Sequence, residues 1–311
     1  MKTPLLRCAL VALTLTLFAA LPRVRADLLL AARGADTVVR YDSTGGTFST
    51  FAADPNGAVY AGITAMVYGA DGNLYVLYEY DSLGVLRYNG TTGAFIDEFI
   101  SAATLGAAGI GDPGDMEVGP DGNFYISDHI STVTAAVWRF SGTTANTFID
   151  NFATFGAGSH THGLAFGPGG KLYLGDAATG QVHQFNATTG ADLGTYATTG
   201  APTPYGDLAF TPDGTLYATH SGGVLRAAGP AFGPPFITGD SYWGILADSG
   251  FLYLSDLTTG TLKKYTDTGV FVADITGGPG AFDIIPMVPE PGAGLLVLAG
   301  LASLGLGRRR R

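Results

Sequence analysis

The central part of the chain alternates short apolar segments with turns rich in Gly, Pro, Asp and Asn. One phrase recurs, an apolar strand followed by a tight turn and an apolar-aromatic strand. Clear copies are GDMEVGPDGNFYISD from Gly114, HGLAFGPGGKLYLGD from His162 and GDLAFTPDGTLYATH from Gly206, and weaker copies begin at Ile63 and Trp243. Because no stretch of this region has sustained helical periodicity, the pattern predicts an all-β domain.

The spacing of the copies indicates how the strands are arranged. An aromatic residue marks the second strand of each copy, and the steps between these residues are 50, 48, 44 and 36 positions along Tyr75, Tyr125, Tyr173, Tyr217 and Tyr253. A repeat of roughly 40 to 50 residues with four short strands is typical of a β-propeller blade. Residues 27–286 then predict six blades, with five or seven as the alternatives.

Two incomplete copies lie at the ends of this region. Residues 27–51 match the last three strands of a copy, and residues 281–286 match only the first. Joined, they make one further blade, which leaves no unpaired inner edge in the ring. We therefore expect a six-bladed propeller closed by pairing of its N- and C-terminal ends.

The repeat also carries residues whose expected role is structural. Asp128, Asp176 and Asp256 end second strands, where a carboxylate caps the following turn through backbone N–H groups. A Leu-Tyr or Phe-Tyr pair in each copy is expected to pack toward the two neighbouring blades. These pairs are Leu74-Tyr75, Phe124-Tyr125, Leu172-Tyr173, Leu216-Tyr217 and Leu252-Tyr253.

The N-terminal residues 1–26 have the features of a signal peptide. A basic start precedes an apolar run, and Val24-Arg25-Ala26 predicts cleavage between Ala26 and Asp27. An uncleaved membrane helix is the alternative, although the run is shorter than a span needs. Cys8, the only cysteine, would leave with this peptide, so the mature chain has neither a disulfide nor a cysteine nucleophile or ligand.

The C-terminal residues 287–311 form a separate segment. Pro289-Glu290-Pro291 precedes an uncharged apolar stretch, residues 292–307, and four arginines, 308–311, which predict a short transmembrane helix with a cytoplasmic basic end. This ordered triplet resembles the PEP-CTERM sorting signal. The resemblance implies processing by an exosortase after export through the inner membrane of a Gram-negative bacterium that makes exopolysaccharide, with membrane attachment before processing. A plain C-terminal anchor is the alternative.

The charge of the body limits its partners. Half of the sixteen basic residues lie in the two terminal segments, whereas only Glu290 of the twenty-six acidic residues does. The predicted propeller therefore has twenty-five acidic and eight basic residues. Such a body offers no basic stripe to phosphates, which argues against nucleic acid as a partner.

At the level of the blade, the turns of the GPDGNFY type that follow Val118 and Phe210 resemble those of NHL and streptogramin-lyase-like propellers. This resemblance covers the whole central region and implies the fold, which hosts many functions. Related six-bladed families include gluconolactonase-like enzymes, which hold a divalent ion with Glu, Asn and Asp, and streptogramin lyases, which use a histidine. The chain has Leu28-Leu29-Leu30-Ala31 where the first family has its glutamate.

Three aspartates are candidates for a site at the channel mouth. Alignment of the copies places Asp115, Asp207 and Asp283 at the same position of the innermost strands in alternate blades. Convergent carboxylates repel one another unless a cation or a shared proton neutralises them, so Ca²⁺ or another divalent ion is one hypothesis. The alternative is that they accept hydrogen bonds from backbone amides. No cofactor is certain.

Histidines supply a second candidate. His160 and His162, two apart on a strand, would point the same way and could ligate zinc with a third group such as Asp115 or His220. The alternative is that they are solvated mouth residues.

Two functional classes follow. The first is a non-catalytic binding or structural protein of the cell surface or extracellular space, which could associate with exopolysaccharide. The second is a metal-assisted hydrolase or lyase, gluconolactonase-like or streptogramin-lyase-like, acting at the channel mouth. No G-x-S-x-G elbow occurs in the sequence, and no residue is assigned a catalytic role.

Overall fold

The structure of the protein is a computed structural model. It describes residues 27–287, apart from positions 56, 58–61, 80–83, 130–134, 155–160, 202, 204, 228, 230 and 257–258. The predicted signal peptide with Ala26, the Pro289-Glu290-Pro291 motif with the apolar tail, and His160 all lie outside the described residues.

Within these residues, 24 strands form six four-stranded antiparallel sheets arranged as the blades of a propeller. Blade 1 combines β24 (Ala281–Pro286) with β1 (Leu28–Ala32), β2 (Thr37–Asp42) and β3 (Thr47–Ala53). Blade 2 contains β4 (Ile63–Tyr68), β5 (Leu74–Tyr78), β6 (Val85–Tyr88) and β7 (Phe95–Ile100). Blade 3 contains β8 (Pro113–Val118), β9 (Phe124–Asp128), β10 (Ala135–Phe140) and β11 (Phe148–Thr154).

The other three blades follow the same order from the innermost strand outward. Blade 4 contains β12 (Thr161–Gly167), β13 (Lys171–Asp176), β14 (Gln181–Asn186) and β15 (Asp192–Thr198). Blade 5 contains β16 (Tyr205–Phe210), β17 (Leu216–His220), β18 (Gly223–Ala227) and β19 (Ile237–Thr238). Blade 6 contains β20 (Tyr242–Asp248), β21 (Phe251–Asp256), β22 (Thr261–Thr266) and β23 (Phe271–Ile275).

Blade 1 closes the ring in the way that the sequence predicts. Strand β24 pairs antiparallel with β1, from Leu28 opposite Pro286 to Ala32 opposite Ala281. Beyond the strand, the amide of Met287 donates to the Asp27 carbonyl at 2.7 Å, and the Asp27 carboxylate accepts from Arg40 Nε at 2.8 Å. The first and last described residues of the chain therefore lie side by side.

The hydrophobic core is divided among the six interfaces between adjacent blades. A cluster of buried side chains fills each interface, and each cluster combines residues of two neighbouring blades. Between blades 2 and 3, for example, Tyr75 packs against Phe124 with ring centroids 4.6 Å apart. Because every blade buries both of its faces, no single blade has a core of its own.

The paired Leu-Tyr or Phe-Tyr residues of each copy explain how both faces are buried. Successive side chains of a strand point to opposite faces of the sheet. In blade 4, Leu172 lies in the cluster shared with blade 3, and Tyr173 lies in the cluster shared with blade 5. The same division holds for the pairs of blades 2, 3, 5 and 6, which confirms the predicted packing role.

One short helix that the sequence pattern did not predict interrupts the β-structure. Helix α1 (Ala102–Ala108) connects blades 2 and 3, is capped by the Ser101 hydroxyl and ends at Gly109 with a positive φ of 102°. The Trp138 indole donates to the Ala108 carbonyl at 3.0 Å, which ties the helix to blade 3. In the part of the chain that the structure describes, no helix has the length and apolar character required to cross a bilayer.

Candidate functional site

The innermost strands share an irregularity at the mouth of the central channel. Near its first residues, each of the six contains one residue more than the strand beside it. Such β-bulges re-aim side chains and are common beside functional sites. The bulges define a ring position, occupied in blades 1 to 6 by Asp283, Ala65, Asp115, Gly163, Asp207 and Gly244.

The structure places the three predicted aspartates in blades 1, 3 and 5 of this ring. Each carboxylate accepts one hydrogen bond from the next amide of its own strand, at 2.6–2.7 Å. Its other oxygen accepts the amide of a neighbouring blade. Asp283 accepts from Met66 at 2.8 Å, Asp115 from Leu164 at 2.6 Å, and Asp207 from Ile245 at 3.0 Å.

The intervening blades have small residues at the same position, and in blades 4 and 6 the reason is that the neighbouring backbone lies close. A Cβ on Gly244 would meet the Phe282 carbonyl oxygen at 2.8 Å, and one on Gly163 would meet the Asp207 Cα at 3.1 Å. Gly163 also has a positive φ of 63°, which a side chain disfavours. Aspartate and small residues thus alternate around the ring, and each aspartate binds the blade that follows it.

Hydroxyl groups of the second strands reinforce two of these junctions. The Thr219 hydroxyl accepts the amide of Asp207 at 2.8 Å and donates to the Trp243 carbonyl of blade 6. The Ser255 hydroxyl accepts the amide of Gly244 at 2.9 Å and donates to the Ala281 carbonyl of blade 1. Sequence reasoning missed both residues, although a hydroxyl residue precedes the terminal His220 or Asp256 in each of these strands.

Behind the ring lies the central channel, a cavity of about 390 Å³ whose walls are mostly apolar. Glu117 lines it two residues after Asp115, and therefore on the same side of β8. The equivalent positions of the other five blades are occupied by apolar residues that also line the cavity, Val67, Ala165, Ala209, Leu246 and Ile285. Sequence reasoning missed Glu117. The feature that could have identified it is a single acidic residue at a position that is apolar in the other copies.

The electrostatics of the channel favour protonated carboxyl groups. Burial raises the pKa of Asp115 to about 6 against the effect of its two amide hydrogen bonds. Burial and the Asp115 charge raise the pKa of Asp283 to about 7, and burial with the charges of Asp115 and Asp283 holds that of Asp207 well above its usual range. The same causes raise the pKa of Glu117. Around neutral pH the channel therefore carries less negative charge than its four carboxyl groups would imply.

His162, the described member of the predicted histidine pair, belongs to an aromatic group in front of the ring. Its ring lies 3.9 Å from that of His129 and 5.2 Å from that of Trp243, and Trp243 lies 5.0 Å from Phe282. We call His129, His162, Trp243 and Phe282 the mouth aromatic cluster. His129 Nδ1 lies 3.1 Å from an Asp112 carboxylate oxygen, which gives the cluster a polar border.

The described residues do not form a set of metal ligands for either the calcium or the zinc hypothesis. His220, a predicted third ligand, accepts the amide of Gly222 on its Nδ1 at 3.1 Å. Among the described residues, no group of three or more His, Cys, Asp or Glu side chains that could hold a metal ion is found. Cation binding by the three aspartates stays a prediction. Their observed contacts are those of the alternative, hydrogen bonding to backbone amides.

Comparison with known proteins supports the architecture. The crystal structure of a nidogen/laminin complex contains a chain that superposes with a TM-score of 0.63 at 15% sequence identity, over 85% of this chain and 98% of that one. A protein of unknown function from Bacteroides caccae superposes with a TM-score of 0.59 at 12% identity, over 85% and 100%. No protein-family model matches the sequence, and no curated protein does either. At these identities the similarity shows the fold, a six-bladed β-propeller, and nothing narrower.

Proposed function

We propose that this protein is an exported β-propeller of the Gram-negative cell surface or extracellular space that binds a neutral polysaccharide at its channel mouth. The observation that carries the proposal is the mouth aromatic cluster, in which Trp243 and His129 are partly exposed and His162 and Phe282 are buried. Aromatic rings offer flat apolar surfaces with polar edges, a combination suited to the C–H faces of sugar rings. Binding sites commonly combine apolar walls with a few placed polar groups, here the pair of Asp112 and His129.

The charge of the molecule selects among polysaccharides. The body has twenty-five acidic and eight basic residues, and several of the basic ones are already paired. Arg87 binds Asp97 and Arg139 binds Asp150, both at 2.5 Å. An anionic polysaccharide would be repelled over most of this surface, so a neutral exopolysaccharide fits better.

The proposed cellular location depends on the terminal segments. A basic, apolar and small-residue order in residues 1–26 supports export, and the order of Pro289-Glu290-Pro291, apolar stretch and arginines supports sorting by an exosortase-type enzyme. The propeller begins at Asp27 and its last strand ends at Pro286, so removal of both segments would leave the ring complete.

Binding is tested on a panel of neutral and anionic polysaccharides with the purified protein. We expect retention by at least one neutral polymer and a loss of affinity of about tenfold or more in Trp243→Ala, because aromatic anchors dominate binding energy. Phe271→Ala is the matched control, since Phe271 is an exposed aromatic residue of β23, the outermost strand of its blade. Equal retention of both variants, or no neutral ligand at all, contradicts the proposal.

The proposed export and sorting are tested by mass spectrometry of the protein recovered from a Gram-negative host with and without an exosortase. We expect a chain that begins at Asp27 in both hosts and that loses the C-terminal segment only where the enzyme is present. Glu290→Gln should block that loss, whereas Glu98→Gln, on the outer strand β7, should not. Retention of the apolar segment in both hosts would favour a plain anchor.

A further inference from the structure

The predicted signal-peptide cleavage site lies directly before the first strand of the propeller. Asp27, the residue after the predicted cut, is followed by Leu28, the first residue of β1. Leu28 is 3% exposed and is paired on both sides, with Tyr41 of β2 and with Pro286 of β24. The sheet of blade 1 therefore begins one residue after the bond that a signal peptidase would hydrolyse.

Asp27 is held from both sides of this sheet. On the β24 side, its carbonyl oxygen accepts the amide of Met287 at 2.7 Å. On the β2 side, its carboxylate accepts Nε and Nη2 of Arg40, at 2.8 and 2.5 Å, and the amide of Ser43 at 2.9 Å. We call Asp27, Arg40, Ser43 and Met287 the closure clamp. Because Met287 directly follows β24, the clamp is complete only when β24 has closed the ring.

The closure clamp restrains Asp27 more than an exposed ion pair would. The side chain of Asp27 is 16% exposed, whereas that of Arg40 is 43% exposed, so the carboxylate is the sheltered partner. Hydrogen bonds to an ionised carboxylate are shorter and stronger than those between neutral groups. The strand that follows is buried along all five of its residues. Moving Asp27 and Leu28 out of the sheet therefore breaks the clamp and also exposes apolar surface to water.

Hydrolysis of the bond between Ala26 and Asp27 requires Asp27 to enter the active site of another protein. The nucleophile of the peptidase attacks the Ala26 carbonyl carbon, and a general acid protonates the Asp27 nitrogen as the peptide bond breaks. Water then releases the Ala26 carboxyl group, and the new chain begins with the amino group of Asp27. An Asp27 that keeps the closure clamp cannot be enclosed by a second protein at the same time. Cleavage of the closed ring therefore waits for local opening of the fold.

We propose that closure of blade 1 makes the signal-peptide cleavage site inaccessible, so that the peptide is removed before β24 pairs with β1. This inference rests on the proposed export of the protein. Synthesis of the chain allows this order, because β24 is made about 250 residues after β1. At roughly 5 to 20 residues per second the interval is about 10 to 50 s. A chain that closes before it is cleaved keeps residues 1–26 and remains a precursor.

The test compares hydrolysis of this bond in the full-length chain, produced without export and folded in detergent micelles, and in a synthetic peptide of residues 1–40. A signal peptidase probes the biological reaction, and an endoprotease that cuts before aspartate probes access alone. We expect each enzyme to cleave the folded chain at least about a hundredfold more slowly than the peptide, as followed by mass spectrometry. Equal rates with the aspartate-specific enzyme would overturn the proposal. A peptide that the signal peptidase alone leaves intact would instead contradict the proposed export, while the second enzyme still measures protection.

Matched variants separate the closure clamp from general destabilisation. Arg40→Ala removes the guanidinium group that binds the Asp27 carboxylate and should speed cleavage of the folded chain about five- to tenfold, because the open state becomes more populated. Arg87→Ala is the control, since Arg87 also lies on the third strand of its blade and binds Asp97 at 2.5 Å. It should leave the cleavage rate unchanged, and melting curves check that both variants remain folded. Equal acceleration by both variants, or none by Arg40→Ala, would contradict protection by the clamp.

Discussion

Alternate blades of the propeller carry two different kinds of residue at the ring position, where each blade contacts the next. Blades 1, 3 and 5 place an aspartate at the ring position, and blades 2, 4 and 6 place Ala65, Gly163 and Gly244 there. The carboxylate of each odd blade reaches the backbone amide of the following even blade. In blades 4 and 6 the ring residue must be small because the next backbone lies close to Gly163 and Gly244. The difference shows that a six-fold repeat can contain a three-fold pattern of contacts. Each aspartate therefore joins two blades through its hydrogen bonds.

The largest effect is expected when an aspartate is placed at the ring position of an even-numbered blade. In Gly244→Asp the new Cβ would lie 2.8 Å from the Phe282 carbonyl oxygen, and a fourth carboxylate would join three that already repel one another. We expect unfolding free energy to fall by about 3 kcal/mol or more, measured by urea denaturation. Ala65→Gly is the control and should cost about 1 kcal/mol. Equal stability of Gly244→Asp and the wild type would mean that the alternation is not required.

Removing one aspartate should have a smaller effect. Asp207→Ala leaves the amides of Leu208 and Ile245 without the acceptor that each now has. Because an unsatisfied buried donor costs about 1 to 3 kcal/mol, we expect a loss of about 2 kcal/mol, with Asp207→Asn intermediate since it keeps one acceptor oxygen. The same change at exposed Asp192 should be nearly silent. A loss no larger than that of Asp192→Ala would show that the carboxylate bridge contributes nothing to stability.

The third expected effect is a dependence of stability on pH that arises from the aspartates of the odd blades. The pKa of Asp283 is about 7 in the folded protein, above its usual 3.8, so the folded state holds a proton that the unfolded state releases. This contribution to stability is full below about pH 4 and is lost as the pH rises toward 7. We expect the wild type to lose stability relative to Asp283→Asn across that window, as measured by urea denaturation at a series of pH values. A wild type that gains stability relative to Asp283→Asn over the same window would contradict the direction of the shift.

Most of the fold could be predicted from the sequence because each blade repeats the same local pattern. The sequence shows the turns, the partial copies at the two ends and the paired residues such as Leu172-Tyr173. Strand β24 could therefore be joined to β1 without any structure. Helix α1 was missed because seven residues between two blades give no usable periodicity.

The ring position was predictable, whereas its contacts were not. Aligned copies bring Asp115, Asp207 and Asp283 to one level, but the bulges that aim their carboxylates at the next blade are a property of register, which local sequence does not specify. Trp243 and Phe282 come from blades 6 and 1, so their contact with each other follows only from the closed ring.

The closure of blade 1 also has a mechanical consequence. The chain leaves the propeller directly after β24, the innermost strand, which lies against β1 in its own sheet and packs with Tyr253 of blade 6. A pull on any segment beyond Met287 is therefore borne by a strand at the axis of the molecule, where hydrogen bonds along β1 share the load. Had the tail followed an outermost strand such as β23, the same force would peel a single edge.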